Sequence, residues 1–397
     1  MNELAWGTNN DLNDNQFYNR VEDIRFISDL LKSSQYGSSP SILLTGIRGV
    51  GKSALMKKIQ KNFRDKDYLV VYIDLSSSNA YQTDEFSKKS IIELIYDEII
   101  KECKEFGITT IDKKIEKYIR THDVTLKEIV KIKGFPVPFL WTEQNYKKLA
   151  NFVMELPQYL YEEYKEDING IFMFFDEFQI IKELGNDLSD FLWYMRSFIQ
   201  KQNNVSYVFS GSMSVKDSLI EEIAGSNGAF GGRMLTIEIK AFSYETTKNY
   251  LTDKAGYLKF TDDGFDQFYE CTKGIPFYIN IFGNLLPKNM LLDSDSIKEN
   301  FNKFLPILAM HFSNSWFRLN LQEQKILTTL LDESLNRSGI AKKLNVTSGA
   351  IGRSLNRLQD NGLIEMENNN YYMPDFVFKA WLKNEYKTKG VYPFKSI

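Results

Sequence analysis

The sequence has little cysteine and little histidine, with two residues of each type among 397. The cysteines, Cys103 and Cys271, lie far apart, which argues against a disulfide framework and favours a reducing compartment. No Cys-x-x-Cys pair and no histidine cluster occur, so a zinc site held by the protein alone is not expected. These absences exclude the disulfide-rich secreted class and the structural zinc class.

The sequence also lacks a long hydrophobic run, because no apolar stretch approaches the roughly 18 residues that a membrane span needs. Residues 1–15 are polar and rich in asparagine and aspartate, unlike a secretory leader. The net charge is −3, so the chain as a whole does not attract nucleic acid, and such binding would need a local basic patch. We therefore expect a cytoplasmic protein with no membrane partner.

A phosphate-loop (Walker A) motif is present at Gly46 to Ser53, where the sequence fits G-x-x-x-x-G-K-[ST] at every position. An apolar strand pattern at 41–45 precedes the motif and a helical pattern follows it, which is the context that the motif requires. The glycines let the backbone curl its N–H groups around an anion, and the dipole of the following helix adds to the attraction. The residues predicted to bind the nucleotide here are Gly46, Gly49, Gly51, Lys52, Ser53 and Ala54.

Two residues of the motif have more specific predicted roles. Lys52 is expected to reach the β and γ phosphates of ATP. Ser53 is expected to give its hydroxyl to Mg²⁺, whose other positions would be filled by phosphate oxygens, water and one carboxylate. The motif therefore also requires an acidic partner elsewhere in the chain.

The acidic partner is predicted at the end of a second strand, where the apolar run 171–175 is followed at once by Asp176 and Glu177. A central strand of this kind delivers carboxylates to the carboxyl edge of a parallel sheet, where ligands bind. Asp176 is expected to hold the water shell of Mg²⁺. Glu177 is expected to orient and deprotonate the attacking water, which is the general-base role in phosphoryl transfer to water.

A third strand pattern, at 205–209, ends in Ser210, Gly211 and Ser212. A serine at this edge, either Ser210 or Ser212, could hydrogen-bond the γ-phosphate or the attacking water. The ordinary alternative is that the serine caps the helix predicted from Val215 onward.

Two arginines have two interpretations each. Arg233 follows a glycine-rich turn and precedes a strand, so its guanidinium could reach a γ-phosphate in its own subunit or in a neighbouring one. It could equally be a surface arginine in a loop. Arg20, at the start of the first helical pattern, is either a solvated helix charge or a nucleotide contact.

The remainder of the chain is mostly helical in pattern. The region 83–166 is highly charged and is interrupted at 133–139 by two prolines, which predict an exposed apolar loop or a docking edge. From Ser243 onward helical patterns follow one another, and Pro276 lies at a predicted helix start, where its missing N–H costs little. A helical segment after a nucleotide-binding sheet predicts a lid.

The C-terminal region predicts a winged helix-turn-helix. Helical patterns at 322–331, 337–344 and 348–361 precede two short strand patterns at 363–367 and 371–373. The predicted recognition helix carries Arg353 and Arg357, and Lys342 and Lys343 lie on the helix before it. Nearby acids dilute this patch, so a DNA-binding role and a protein-facing or structural role remain open.

In this order the motifs resemble the archaeal-type ATPase family of the AAA+/STAND group. The residues that carry the resemblance are the phosphate loop, Asp176-Glu177-Phe178-Gln179, Ser210-Gly211-Ser212, Gly232-Arg233 and Gly274-Ile275-Pro276. The resemblance implies a Mg²⁺-dependent ATPase with a helical lid and a nucleotide-controlled switch. It also implies that Arg233 senses phosphate and that Pro276 lies near the nucleotide base.

We therefore expect an α/β P-loop NTPase with an AAA+-like parallel sheet, a helical lid and a C-terminal winged helix. The expected domains are 1–242 with a helical insertion near 83–166, then 243–319 as the lid and 320–397 as the winged helix and tail. The expected function is an ATP-hydrolysing switch whose winged helix contacts a protein partner or duplex DNA. A homo-oligomer is a further expected assembly. The alternatives are a DNA-binding ATPase of the replication-initiator type and a scaffold that binds nucleotide without hydrolysis.

Overall fold

The computed structural model describes residues 4–5, 12, 16–64, 67–83, 85–108, 129–132, 135–138, 143–213 and 218–394. The helices within these ranges are Val21–Lys32, Lys52–Arg64, Asn79–Gln82, Lys88–Glu105, Glu143–Tyr164, Leu188–Ile199, Ser218–Ala224, Tyr244–Lys254, Asp262–Thr272, Pro276–Leu285, Ser294–Leu308, Met310–Arg318, Leu321–Thr329, Arg337–Leu344, Gly352–Asp360 and Phe376–Lys389. The strands are β1 (Ser41–Thr45), β2 (Tyr68–Asp74), β3 (Ile129–Ile132), β4 (Phe135–Pro138), β5 (Gly170–Asp176), β6 (Val205–Ser210), β7 (Met234–Glu238), β8 (Lys259–Phe260), β9 (Leu291–Leu292), β10 (Glu365–Glu367) and β11 (Asn370–Tyr372).

The central element is a five-stranded sheet in the order β2-β5-β6-β1-β7. All four strand pairs are parallel, so the five carboxyl ends lie along one edge of the sheet. The phosphate loop follows β1, Asp176 ends β5 and Ser210 ends β6. The predicted parallel α/β sheet is confirmed, and it brings three separate motifs to one edge.

Both faces of the sheet are buried, as its apolar strands require. Because side chains alternate along a strand, Phe175 and Phe209 enter one core with the helices Lys88–Glu105, Glu143–Tyr164 and Leu188–Ile199. Phe174 and Val208 enter the opposite core with the helices Val21–Lys32 and Lys52–Arg64. The sheet is therefore the middle layer between two layers of helices.

A third core lies in the C-terminal half of the chain. It contains Leu251, Phe268 and Phe282 from the first helices after the sheet, and Trp316 and Phe378 from later ones. The rings of Trp316 and Phe378 meet edge to face with centroids 6.1 Å apart. The predicted boundary at residue 319 therefore lies inside one continuous hydrophobic cluster.

The region near 320–373 contains the elements expected from its pattern, with shifted ends. Three helices, the last beginning at Gly352, are followed by the antiparallel pair β10 and β11. The turn between these strands holds Asn368 and Asn369 with φ of 48° and 64°. Asparagine tolerates this left-handed conformation better than most residues, so the sequence suits a tight turn.

Of the two interpretations of 133–139, the loop is wrong for residues 135–138, and the docking edge stays a prediction. These residues form β4, which pairs antiparallel with β3, from Ile132 opposite Phe135 to Ile129 opposite Pro138. In a two-stranded sheet each strand has an unpaired edge, so the missing proline N–H need not cost a ladder hydrogen bond. Residues 133, 134 and 139 lie outside the described ranges.

In the part of the chain that the structure describes, no helix combines the length and the apolarity needed to cross a membrane.

Candidate functional site

The phosphate loop is held in a conformation that its glycines permit. Gly46, Gly49 and Gly51 have φ of 139°, 85° and 96°, all in the region that favours glycine. A Cβ added to Gly46 would lie 2.5 Å from the carbonyl oxygen of Ile239, so a larger residue would displace the backbone. The Gly46 N–H donates to the carbonyl of Met213 at 3.0 Å, which ties the loop to the segment after β6.

The other side of the loop contacts the helix that begins at Pro276. The Phe277 N–H donates to the carbonyl of Gly49 at 3.2 Å, and a Cβ added to Gly49 would lie 2.8 Å from Cβ of Phe277. The structure therefore places Pro276 beside the phosphate loop.

Lys52 is buried within the loop, with 6% of its surface exposed. Its Nζ donates to the carbonyls of Gly46 at 2.7 Å and Ile47 at 3.1 Å. Burial lowers the pKa of Lys52 to about 8, although the carboxylates of Glu177 and Asp176 act in the opposite direction. A buried ammonium that meets neutral carbonyls is suited to pair with an anionic ligand.

Asp176 is buried at the carboxyl end of β5, with 4% of its surface exposed. Its Oδ1 accepts from the Glu177 N–H at 3.0 Å, and its Oδ2 accepts from the hydroxyl of Tyr72 on the neighbouring strand β2. Burial raises the pKa of the Tyr72 hydroxyl, and the charge of Asp176 raises it further. The two donors fix the orientation of the carboxylate.

Glu177 adopts a left-handed backbone conformation with φ of 53° and ψ of 38°. For a residue with a side chain this costs about 1–2 kcal/mol, and such cost is found where surrounding contacts enforce it. Burial raises the pKa of the Glu177 carboxyl, while a hydrogen bond from Gln179 opposes the rise. The Gln179 amide donates to Oε2 of Glu177.

Ser210 and Ser212 have different environments. Ser210 is fully buried opposite Leu44 of β1, and its Oγ has no hydrogen-bond partner among the described residues. The Ser212 N–H donates to Oε1 of Gln179 at 3.0 Å. The helix cap considered for Val215 falls outside the described residues.

Arg233 lies at the opposite edge of the sheet from the phosphate loop. It immediately precedes β7, whose first residue, Met234, is opposite Ser41 at the start of β1. The four steps along β1 from Ser41 to Thr45, at about 3.3 Å each, separate the two ends of this strand by roughly 13 Å, so Arg233 is at least that far from the loop. Arg233 is exposed at this edge. When the Gln200 amide is oriented with its oxygen toward Arg233, that oxygen accepts a hydrogen bond from Nη1 of Arg233 at 3.2 Å.

Arg20 is not a solvated helix charge, and that interpretation is wrong. Only 11% of its side chain is exposed. Its Nη2 donates to the carbonyl of Val50, inside the phosphate loop, at 3.0 Å and to that of Lys240 at 2.6 Å. Arg20 therefore clamps the loop from the side of the first helix.

The donor set suits Mg²⁺ held together with a nucleotide. Within the described ranges, no group of three or more His, Cys, Asp or Glu could hold a metal. One buried carboxylate, Asp176, and one hydroxyl, Ser53, are the oxygen donors that Mg²⁺ accepts when phosphate oxygens and water supply the rest. Each oxygen of Asp176 keeps a lone pair beyond the hydrogen bonds it accepts.

The sequence interpretation gave no role to two residues at this edge, Tyr72 and Gln179. Tyr72 lies two residues before the end of β2, and the register pairs Asp74 with Asp176. Strand alternation therefore puts Tyr72 on the face of Asp176, but this follows only from the register, which the sequence does not state. Gln179 belongs to the Asp-Glu-Phe-Gln motif, but only the structure shows both of its hydrogen bonds.

Comparison with known families and proteins gives consistent matches. A family model described as an ATPase domain predominantly from Archaea matches residues 17–282. Two Methanocaldococcus jannaschii proteins named as ATP-binding proteins are each 25% identical to this chain, over 239 and 277 residues. The matches cover 59% and 66% of this chain, and 62% and 68% of the relatives. This chain thus spans less than two thirds of the first relative.

Among solved structures, a Walker-type ATPase of Pyrococcus abyssi is similar in fold. The superposition has a TM-score of 0.62 at 18% identity, and it covers 94% of this chain and 99% of the other. At this identity the likeness concerns the fold alone.

Proposed function

The chain belongs to the family of ATPase domains found predominantly in Archaea, and on that premise we propose that it binds ATP with Mg²⁺ and hydrolyses it. The observation that carries the proposal is the parallel sheet that brings Lys52, after β1, and Asp176 and Glu177, at the end of β5, to one edge. The names of the two relatives support an adenine nucleotide.

In the proposed mechanism the N–H groups of the phosphate loop and the Lys52 ammonium bind the β and γ phosphates. Ser53 and Asp176 would hold Mg²⁺, which would supply positive charge against the phosphate oxygens. Glu177 orients a water and accepts one of its protons. The water oxygen bonds to the γ-phosphorus as the bond to the β–γ bridging oxygen breaks, and ADP and inorganic phosphate leave.

Ser210 is proposed to bind the γ-phosphate. Its buried hydroxyl without a partner would be costly in a purely structural position, and its strand lies between those that carry the phosphate loop and Asp176. Arg233 is proposed to act on the nucleotide of a neighbouring subunit in a homo-oligomer, because its own phosphate loop lies at the opposite edge.

We further propose that residues 1–242 form the nucleotide-binding core, 243–319 a helical lid and 320–397 a winged-helix output. A chain of contacts supports coupling between them. The Phe277 N–H donates to the carbonyl of Gly49 in the loop. The hydroxyl of the neighbouring Tyr278 donates to Oδ2 of Asp375, at the start of the last helix, at 2.9 Å. A change in the loop would thereby move the output domain.

A protein partner for the output domain is favoured over duplex DNA. Two of the four basic residues predicted to contact DNA are paired with acids. Lys343 lies 2.7 Å from Glu333, and Arg357 lies 3.4 Å from the buried Glu323. These pairs weaken the basic patch that phosphate binding would need.

The proposal is tested by measuring phosphate release from ATP with Mg²⁺ and with EDTA, together with the affinities for ATP and ADP. We expect Mg²⁺-dependent release, abolished by EDTA and reduced by Ser53→Ala. Absence of release with equal affinity for the two nucleotides would contradict hydrolysis and identify a nucleotide-bound scaffold.

A further inference from the structure

Gln179 bridges two parts of the site through its side-chain amide. Its Nε2 donates to Oε2 of Glu177, and its Oε1 accepts from the Ser212 N–H at 3.0 Å. Because a backbone N–H can only donate, the oxygen of the amide must face Ser212. The NH₂ group must then face the carboxylate, so the orientation of Gln179 is fixed from both sides.

The segment that Gln179 contacts is bonded directly to the phosphate loop. The carbonyl of Met213 accepts from the Gly46 N–H at 3.0 Å, and the Gly211 N–H donates to Leu44 at 3.4 Å, just before the loop. Ser212 lies between these two attachments. The segment 211–213 therefore connects the loop to Gln179.

Gly211 leaves the space that this bridge occupies. A Cβ at residue 211 would lie 2.7 Å from Oε1 of Gln179 and 2.6 Å from Cε of Met213. The glycine is not explained by a left-handed conformation, since its φ lies outside that range. The close approach of the glutamine amide accounts for it.

We propose that Gln179 is a positioning residue that holds the Glu177 carboxylate and links it to the phosphate loop through the segment 211–213. Occupation of the loop by phosphate moves this segment, and the amide carries the movement to Glu177. The inference rests on the proposed hydrolysis, and it adds a residue that acts through Glu177 without contacting substrate.

Two substitutions distinguish the two hydrogen bonds of Gln179, one to Glu177 and one from Ser212. Gln179→Met keeps the length of the side chain and removes both hydrogen-bonding groups. Gln179→Glu keeps an acceptor for Ser212 and removes the donor to Glu177. The matched control is Gln202→Met, because the side-chain amide of Gln202 also bonds two partners, the carbonyl of Met154 and the hydroxyl of Tyr207.

The measurements are single-turnover ATP hydrolysis, nucleotide affinity in EDTA, and hydrogen–deuterium exchange of the 211–213 backbone. We expect both Gln179 variants to lose at least tenfold in hydrolysis with affinity within twofold of the unsubstituted chain. Exchange at Ser212 should accelerate at least tenfold in Gln179→Met and stay slow in Gln179→Glu. Gln202→Met should change neither hydrolysis nor Ser212 exchange.

A double substitution tests whether Gln179 acts through Glu177. In a Glu177→Gln background, Gln179→Met should lower hydrolysis no further, because the carboxylate it positions is gone. Full hydrolysis or unchanged Ser212 exchange in Gln179→Met would overturn the inference. Absence of hydrolysis in the unsubstituted chain would instead contradict the proposed function, so the two failures are distinguishable.

Discussion

At the phosphate-loop edge and in the C-terminal region 320–394, charged side chains meet different kinds of partner. Lys52 donates to backbone carbonyls, and Asp176 accepts from a tyrosine hydroxyl and a backbone N–H. In the C-terminal region, Lys343 and Arg357 each pair with a glutamate. Charges that meet neutral groups stay available to a ligand, whereas charges paired with acids contribute to the fold. This difference supports the proposed nucleotide chemistry at the first region.

The largest expected effect is at Lys52. Lys52→Met should weaken ATP binding about a hundredfold, because a hydrogen bond to a charged group contributes up to about 3 kcal/mol. The melting temperature should not fall, since a buried charge is replaced by a side chain of similar length. Titration with a fluorescent ATP analogue measures the affinity, and thermal unfolding measures the melting temperature. The control is Lys61→Met, since Lys61 is an exposed lysine on the same helix. Equal ATP affinity in the two variants would contradict a ligand-binding role for Lys52.

In the C-terminal region the corresponding loss should be one of stability. Glu323 is 1% exposed, forms a capping box with Asn320 and pairs with Arg357. Glu323→Ala should lower the free energy of unfolding by about 2 kcal/mol in urea denaturation, with ATP affinity unchanged. Glu333→Ala, which removes an exposed partner of Lys343, should change it by less than about 0.5 kcal/mol. A loss of ATP affinity in Glu323→Ala at full stability would contradict the assignment.

A smaller effect is expected at Gly211, whose N–H forms one of the two attachments of the segment 211–213. Gly211→Ala should reduce ATP turnover about tenfold, because the new methyl group displaces Gln179 or Met213. Binding of ATP should remain, since Lys52 and the loop glycines are unchanged. Gly349→Ala is the control for glycine substitution in general, because Gly349 is exposed, has no left-handed φ and would bring its Cβ no closer than 4.0 Å to a neighbour. Equal turnover in both variants would show that the close approach at residue 211 is not needed.

The smallest effect is expected for duplex DNA. Addition of DNA should change ATP turnover by less than twofold, because Lys343 and Arg357 are paired with acids. The double variant Lys342→Ala, Arg353→Ala removes two exposed basic residues and should behave as the unsubstituted chain does. Stimulation that falls with salt and disappears in this variant would instead support the replication-initiator alternative.

The sequence predicts which motifs share one edge of the sheet, because the signals for this are local. The phosphate loop and the acids after β5 each follow an apolar strand, and parallel pairing alone brings their ends together. The polar partners of these residues depend on contacts between distant segments. Tyr72 reaches Asp176, and Gln179 reaches Ser212, across separations that no spacing rule encodes.

The positions of Arg233 and Arg20 also depend on contacts between distant segments. The sequence places Arg233 before a strand but does not say at which edge of the sheet that end lies. The order β6-β1-β7 and the parallel register decide it, and they put the arginine away from its own loop. The burial of Arg20 against Val50 likewise arises only when the first helix packs beside the loop.

The most direct test of the account is ATP turnover by the unsubstituted chain beside Glu177→Gln, with Glu183→Gln, an exposed glutamate, as the control. Loss of a general base should reduce turnover at least about a hundredfold. ATP affinity should be retained in Glu177→Gln, and Glu183→Gln should match the unsubstituted chain. Turnover in Glu177→Gln equal to that of the unsubstituted chain would contradict the assignment of Glu177 and with it the proposed mechanism.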